Sequence, residues 1–205
     1  MQTVKHIIFD LGNVLVNIHP EETMEALALH CGKEVSEITP FFLSKTHREF
    51  MGGVLSPEQF HQNFSEKYYS GIEFNEFIST WNHLIGTAKE GMHEIIEQLS
   101  ADFTLAVCSN TDPLHWEIAR QTLPFLNRFD HYFLSFEMKC LKPDSLMFQG
   151  MLSSLMAGAE QCVFIDDTEE NIIQARKLGL RVIHAWESKT IRNKLERLDI
   201  KLLHE

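Results

Sequence analysis

The stretch IIFDLGNVLVNI, residues 7–18, is an apolar run that stops at one acid, Asp10, and then turns through Gly12 and Asn13. Continuous apolar character without alternation is typical of a strand that is covered on both faces of a parallel sheet. Ligands of open α/β sheets bind at the carboxyl ends of the strands. The stretch therefore predicts a buried first strand that places the Asp10 carboxylate at the functional edge, two residues before a glycine.

Similar apolar runs recur along the chain, and helical patterns alternate with them. The predicted strands are Val4–Asp10, Phe103–Asn110, His131–Ser135, Cys162–Asp167 and Leu180–Ala185. The predicted helices between them are Lys89–Ser100, Asp144–Met156 and Thr168–Gly179. Alternation of strand and helix predicts an α/β fold with a doubly wound, Rossmann-like parallel sheet and right-handed crossovers.

The segment from about residue 19 to residue 86 has a different pattern. It consists of amphipathic helical stretches separated by Gly, Pro or Ser, one of them covering residues 36–53, and no strand is predicted in it. Its many aromatic residues are expected to form the core of a helical unit. We therefore predict an α/β core domain at 1–16 and 87–205 and an inserted helical cap at 17–86, with a last helix over 189–205.

Composition excludes several classes of function. The 205 residues carry 18 basic and 29 acidic side chains, a net charge of -11, which disfavours nucleic acid and anionic membranes as partners. The N-terminal residues show no signal-peptide pattern, and no apolar run approaches the roughly 20 residues of a membrane span. Four cysteines without a C-x-x-C pair indicate reduced thiols. We expect a cytoplasmic monomer or homodimer.

Polar groups follow the ends of the predicted strands. In chain order they are Asp10, Ser109, Asn110, Thr111, Lys142, Asp166 and Asp167. Each alone is more often a turn residue, a helix cap or a surface residue than a functional one. Their placement on the same edge of one predicted sheet is what indicates a shared site.

Phosphoryl transfer is the chemistry that these groups can share. An aspartate is a competent nucleophile toward phosphorus. A hard cation such as Mg²⁺ is held by carboxylates such as those of Asp10, Asp166 and Asp167, and it screens the charge of the substrate. Hydroxyl and backbone N–H groups at a helix start hold phosphoryl oxygens. Lys142 supplies a point charge that neutralises both the nucleophile and the phosphoryl group.

The stretches FDLGNVL, CSN, LKP and FIDD resemble, in this order, the four motifs of the haloacid dehalogenase superfamily. The inserted segment resembles the small helical cap of that superfamily, so that the resemblance covers essentially the whole chain. Among its members, the chain is similar to bacterial α-D-glucose-1-phosphate phosphatases and to the N-terminal phosphatase domain of soluble epoxide hydrolases. These motifs are specific for the superfamily and much less specific for a substrate.

The resemblance implies a set of metal ligands. Asp10 would be both the nucleophile and a ligand, and Gly12 would contribute its backbone carbonyl. Asp167 would bind the metal directly and Asp166 would lie beside it, although the sequence leaves the order of this pair open. Asn171 would lie either near the same helix start or on the helix surface.

The resemblance also implies phosphoryl ligands. Ser109 and Asn110 would bind the phosphoryl group, and Lys142 would bridge it to Asp10. His115 follows the same strand, and we expect it to pack on the helix against Trp116.

Gly12 departs from the superfamily pattern, because most of its phosphatases and mutases carry an aspartate at that position as general acid and base. Loss of such a group typically costs on the order of 10²–10⁴-fold in rate. The alternatives are a slower or more selective phosphatase, a metal-independent 2-haloacid dehalogenase, and a non-catalytic phosphate-binding protein. The paired acids favour a magnesium-dependent phosphatase of a small phosphate monoester, such as glucose 1-phosphate or another sugar phosphate.

Overall fold

The computed structural model describes residues 3–202, and the strands predicted from the sequence form one parallel sheet. The strands are β1 (His6–Phe9), β2 (Val16–Ile18), β3 (Ile85–Ala88), β4 (Thr104–Ser109), β5 (His131–Leu134), β6 (Cys162–Asp166) and β7 (Arg181–His184). Five of them pair in the order β5-β4-β1-β6-β7. Strand β1 lies at the centre, where Phe9 is in register with Val107 on one side and Ile165 on the other.

Helices cover both faces of this sheet. The helices are α1 (Pro20–Cys31), α2 (Val35–Phe42), α3 (Lys45–Met51), α4 (Pro57–Tyr68), α5 (Phe74–Asn82), α6 (Met92–Leu99), α7 (Pro113–Thr122), α8 (Ser135–Met138), α9 (Ser145–Leu155), α10 (Glu169–Lys177) and α11 (Ser188–Glu196), with 3₁₀ helices at Pro124–Arg128 and Ala159–Gln161. Successive residues of β1 point to opposite faces, so that Ile7 packs with Ile95 of α6 while Ile8 packs with Phe148 of α9. Burial on both faces explains the unbroken apolar run, and the predicted doubly wound fold is confirmed.

A second, two-stranded sheet lies where the chain enters and leaves the helical segment, and it was not predicted. Strands β2 and β3 pair antiparallel, with Val16 opposite Ala88 and Ile18 opposite Ile85. The expectation of no strand within residues 19–86 is therefore wrong at its end, where β3 begins at Ile85. Strand β3 is short, mostly only partly buried, and contains Gly86, so it lacks the apolar run that predicts the buried strands. The proposed domain boundaries fall within these two strands.

The helical segment, residues 20–82, has a hydrophobic cluster of its own. The cluster includes Leu27, Ile38, Phe41, Phe50, Phe60, Phe64, Phe77 and Trp81. The stretch predicted as one helix over 36–53 is divided into α2 and α3, because Ser44 caps α3 by accepting a hydrogen bond from the His47 N–H at 3.2 Å. Tyr69, one of the aromatic residues expected to form the core of this segment, is instead 95% exposed. A separate cap domain remains our proposal.

The C-terminal helix is shorter than predicted. Helix α11 ends at Glu196, and residues 203–205 of the expected helix lie outside the described residues. No helix within residues 3–202 combines the length and the apolar character that crossing a bilayer requires.

Candidate active site

Asp10 directly follows the central strand β1, at the carboxyl edge of the sheet, as predicted. Its backbone N–H donates to the Ile165 carbonyl at 2.8 Å, which fixes its position relative to β6. The side chain is almost fully buried, and its Oδ1 accepts a hydrogen bond from the Leu11 N–H at 2.7 Å. Oδ1 also lies 2.9 Å from Lys142 Nζ. One carboxylate oxygen is thus held in a fixed direction at the carboxyl edge of the sheet.

Lys142 connects two carboxylates from inside the protein. Its Nζ lies 2.9 Å from Asp10 Oδ1 and 2.6 Å from Asp166 Oδ2, and the side chain is only 1% exposed. The backbone of Lys142 is held by the side chain of Asn110, whose Oδ1 accepts from Lys142 N at 2.7 Å and whose Nδ2 donates to Lys142 O at 2.8 Å. Asn110 therefore positions the lysine, a contact that the sequence did not predict.

Burial and charge act in opposite directions on this pair. The pKa of Asp10 is raised to about 6, because burial and the neighbouring Asp166 raise it more than the ammonium of Lys142 lowers it. Burial alone would lower the pKa of Lys142, but Asp10 and Asp166 outweigh burial and the pKa rises. The lysine stays charged between its two partners, and Asp10 is mostly ionised at neutral pH.

Asp166 ends β6 and is fully buried. Besides Lys142, it accepts from the backbone N–H of Thr168 at 2.8 Å and from Asn171 Nδ2, which lies 3.1 Å from each carboxylate oxygen. Asn171 is itself 95% buried, so it belongs to the site and not to the helix surface. The neighbours of Asp166 are thus donors that occupy both of its oxygens.

Asp167 is more open than Asp166 and is held mainly by residues from other elements. Asn13 Nδ2 donates to Asp167 Oδ2 at 3.0 Å, and Thr168 Oγ1 donates to Oδ1 at 3.2 Å. His184 Nε2, at the end of β7, donates to the backbone carbonyl at 2.8 Å. Asn13 reaches this position with a left-handed backbone, φ 57°. The sequence did not single out Asn13 or His184.

Three carboxylates converge to form a candidate metal site. Asp10, Asp166 and Asp167 each offer one oxygen, and these oxygens lie within 4.8 Å of one another. Three carboxylates against the single ammonium of Lys142 leave two negative charges. Oxygen donors and this residual charge fit a hard divalent cation such as Mg²⁺.

The remaining predicted residues lie in the adjoining loops. Ser109 is the last residue of β4 and is buried. Gly12 lies in the turn after Asp10, where it bridges to Val16. A Cβ built on Gly12 would lie 3.6 Å from Ile18 Cγ2, an ordinary van der Waals contact, so this position has room for a Cβ. The metal and phosphoryl roles of these residues remain predictions.

The expectation that His115 packs against Trp116 is wrong. Its ring stacks on Trp81 of α5, with centroids 5.1 Å apart, whereas Trp116 packs against Tyr132. The neighbouring Asp112 accepts from the Trp81 indole Nε1–H at 3.1 Å and pairs with His115 Nδ1 at 2.8 Å. Helical spacing does not reveal such a contact, because Trp81 lies on another element, 31 residues before Asp112.

A doubly wound sheet with a carboxylate and lysine cluster at its carboxyl edge is the architecture of a Rossmann-like α/β protein whose site lies at the strand ends. The chain belongs to the haloacid dehalogenase-like hydrolases: the model of that family matches residues 7–185. The superfamily predicted from the four motifs is thereby confirmed.

Curated relatives and solved structures agree with this family. A D-ribitol-5-phosphate phosphatase of Bacteroides thetaiotaomicron is 22% identical over 86% of this chain and 89% of its own length. The sesquiterpene phosphatase astK of Aspergillus oryzae is 24% identical over 91% of this chain and 92% of its own. A solved family enzyme of B. thetaiotaomicron, bt-2542, in complex with magnesium and inorganic phosphate, has a TM-score of 0.80 at 22% identity, covering 88% of this chain and 93% of its own.

Proposed function

We propose that the protein hydrolyses a small phosphate monoester in a magnesium-dependent reaction, with Asp10 as the nucleophile. Its enzyme class is that of the phosphoric monoester hydrolases, as both curated relatives are phosphatases. The observation that carries the proposal is the convergence of three carboxylates within 4.8 Å around a buried lysine that is paired with two of them. Such an arrangement suits the attack of a carboxylate on phosphorus.

In the first step, an Asp10 oxygen forms a bond to phosphorus while the bond to the leaving oxygen breaks, which gives an aspartyl-phosphate. Lys142 neutralises charge on both Asp10 and the incoming phosphoryl group. In the second step, water attacks phosphorus, the acyl-phosphate bond breaks, and phosphate leaves with Asp10 regenerated. Ser109 and the backbone N–H of Asn110 would hold the phosphoryl oxygens.

Asp10, Asp166, Asp167 and the Gly12 carbonyl would hold Mg²⁺. When bound, the ion screens the negative charge that accumulates on the phosphoryl oxygens. We assign the direct contact to Asp167, because it is partly exposed, whereas Asp166 is fully buried and is already paired with the Lys142 ammonium. Asp166 would then act mainly by orienting Lys142.

For the substrate we propose a sugar or polyol phosphate, with glucose 1-phosphate and D-ribitol 5-phosphate as the first candidates. The two curated relatives act on chemically different alcohols, as their names state, so the family alone does not define the leaving group. The helical segment is the element that we expect to select it. A cytoplasmic location, a monomeric or homodimeric state and the absence of nucleic-acid or membrane partners remain predictions from the sequence.

The test is phosphate release from a panel of monoesters with and without Mg²⁺. The panel contains glucose 1-phosphate, D-ribitol 5-phosphate and p-nitrophenyl phosphate, and halide release from a 2-haloacid is measured in parallel. Phosphate release that requires Mg²⁺ supports the proposal. Halide release without metal, or no product from any compound, would overturn it.

Magnesium removal should abolish turnover and lower thermal stability. We expect EDTA to reduce phosphate release at least about 100-fold, with recovery on addition of Mg²⁺. At a Mg²⁺ concentration near 100 times Kd, the Tm should rise by about 5–10 °C. Asp167→Asn should lose most of this rise in differential scanning fluorimetry, whereas Asp102→Asn, at the amino end of β4, should keep it. An equal rise in both variants would contradict the assignment of Asp167.

Gly12→Asp should accelerate the hydrolysis of esters with poor leaving groups, because it restores an acid at a position where an added Cβ makes ordinary van der Waals contacts. We expect kcat for a sugar phosphate to rise about 10- to 100-fold and kcat for p-nitrophenyl phosphate to change little, since p-nitrophenolate leaves without protonation. Gly12→Asn is the matched control, having the same shape without the acid. Equal acceleration by the Asn variant would show that proton transfer is not the limiting step.

A further inference from the structure

The helical segment contacts the α/β core at the loop that follows β4. This β4–α7 loop, residues 110–112, leads from Ser109 into α7 and carries the residues proposed to hold the phosphoryl group. Two polar contacts connect it with the helical segment. One is formed by Asp112 and His115 with Trp81, and the other runs through the Ser135 hydroxyl.

The first contact is a buried cluster of Asp112, His115 and Trp81, which we call the Trp81 cluster. Asp112 Oδ2 accepts from Trp81 Nε1 at 3.1 Å and from His115 Nδ1 at 2.8 Å, while Oδ1 accepts the N–H groups of Leu114 and His115 and so caps α7. His115 Nε2 donates to the Trp81 carbonyl at 2.9 Å. Both nitrogens of the His115 ring therefore lie against oxygen acceptors, one in the helical segment and one at the start of α7.

The environment of the Trp81 cluster makes these contacts strong. Trp81 and Asp112 are fully buried, and His115 is 4% exposed. Burial alone would raise the pKa of Asp112, but the facing His115 and the hydrogen bond from Trp81 bring it below the ordinary value. A charge-assisted contact that is shielded from water resists exchange with solvent.

The second contact lies at the end of helix α3. The Ser135 hydroxyl accepts a hydrogen bond from the Thr111 N–H at 3.0 Å. Of the two carbonyls to which it can donate, those of Met51 and Thr111, the Met51 carbonyl is the nearer, at 2.7 Å. Beside it, Gly53 has a φ of 66°, and a Cβ there would collide with the Phe136 carbonyl oxygen. The turn after α3 therefore lies directly against α8 and the Thr111 end of the β4–α7 loop.

We propose that Asp112 and His115 are positioning residues that fix the helical segment relative to the β4–α7 loop. The loop proposed to bind phosphate thereby also sets where the cap contacts the leaving group. The inference rests on the proposed function. Loss of the Trp81 cluster should misplace the cap relative to the phosphoryl site while Asp10 and Lys142 stay intact. Substrates that extend to the cap should then suffer most.

The test compares Asp112→Asn and Trp81→Phe on two substrates, the preferred sugar or polyol phosphate and the small acetyl phosphate. Trp81→Phe keeps an aromatic ring at this buried position but removes the five-membered ring that carries the Nε1–H donor, and Trp116→Phe makes the same reduction in size elsewhere. We expect kcat/KM for the larger substrate to fall about 10- to 100-fold, mainly through KM, and that for acetyl phosphate to fall less than about 3-fold. Trp116→Phe is the matched control and should leave both substrates unaffected. Equal losses on both substrates, or no loss, would overturn the inference.

A second readout does not depend on activity. The three tryptophans give three indole N–H signals in NMR, and Trp81→Phe identifies the signal of Trp81. Its hydrogen should exchange with solvent at least about 100-fold more slowly than that of the half-exposed Trp186, and Asp112→Asn should remove most of the difference. Exchange of Trp81 at the rate of Trp186 would overturn the inference.

The two failures can be told apart. If the wild type releases no phosphate from either substrate, the proposed function fails, and the exchange rate still decides whether the Trp81 cluster holds. If the wild type is active and the variants lose both substrates equally, the positioning role fails alone. Should Asp112→Asn not fold, Trp81→Phe carries the comparison.

Discussion

Asp10→Asn is expected to reduce phosphate release by at least about 1000-fold, because removal of a covalent nucleophile leaves only binding and charge effects to accelerate the reaction. The amide has nearly the shape of the carboxylate, so the buried position after β1 stays filled. It cannot form an aspartyl-phosphate, and it also loses the charge that pairs with Lys142 at 2.9 Å. The measurement is kcat for phosphate release with saturating Mg²⁺.

Two further measurements separate chemistry from folding. Asp102→Asn makes the same change at an exposed position at the opposite edge of the sheet and should keep full activity. Rapid acid quench of the wild type with a ³²P-labelled substrate should trap one labelled phosphoryl group per chain, which Asp10→Asn does not acquire. A folded Asp10→Asn variant with a tenth of normal kcat would rule out Asp10 as the nucleophile.

The fold was predictable because the central strands are buried on both faces. Ile7, Ile8 and Phe9 have no exposed surface, and this burial produces the unbroken apolar run in the sequence. The β2–β3 pair was missed because its strands have only three and four residues, most of them partly buried, and show no periodic pattern. A sequence pattern reports burial, and short elements that are only partly buried remain undetected.

The site was predictable in so far as parallel strands bring their carboxyl ends together. This rule placed Asp10, Asp166 and Asp167 at one edge, and the structure brings their oxygens within 4.8 Å. It says nothing of the supporting contacts, which join distant parts of the chain. Asn13 reaches Asp167 across 154 residues, and Asn110 reaches the backbone of Lys142 across 32. Such pairs follow from tertiary packing, which a single sequence does not display.

Lys142→Met is expected to impair both activity and stability. Without the ammonium, only the bound Mg²⁺ would oppose the charge that develops on the phosphoryl group, and kcat should fall by about 10²–10³-fold. The variant also leaves Asp10 and Asp166 buried without their common partner, a change that typically costs about 3–5 kcal/mol of unfolding free energy. Urea unfolding in EDTA measures this loss, and Lys177→Met, at an exposed lysine of α10, is the control.

The pH dependence of this loss identifies its cause. The pKa of Asp10 in the folded protein is about 6, above its ordinary value of 3.8, so this group favours the folded state most below pH 3.8 and loses that contribution as the pH rises through 6. Lys142 lowers the pKa of Asp10, and its removal should extend the loss to higher pH. In EDTA, the stability difference between wild type and Lys142→Met should therefore be small near pH 5 and grow toward pH 8. A difference that stays constant over this range would mean that lost packing, and not an unpaired carboxylate, destabilises the variant.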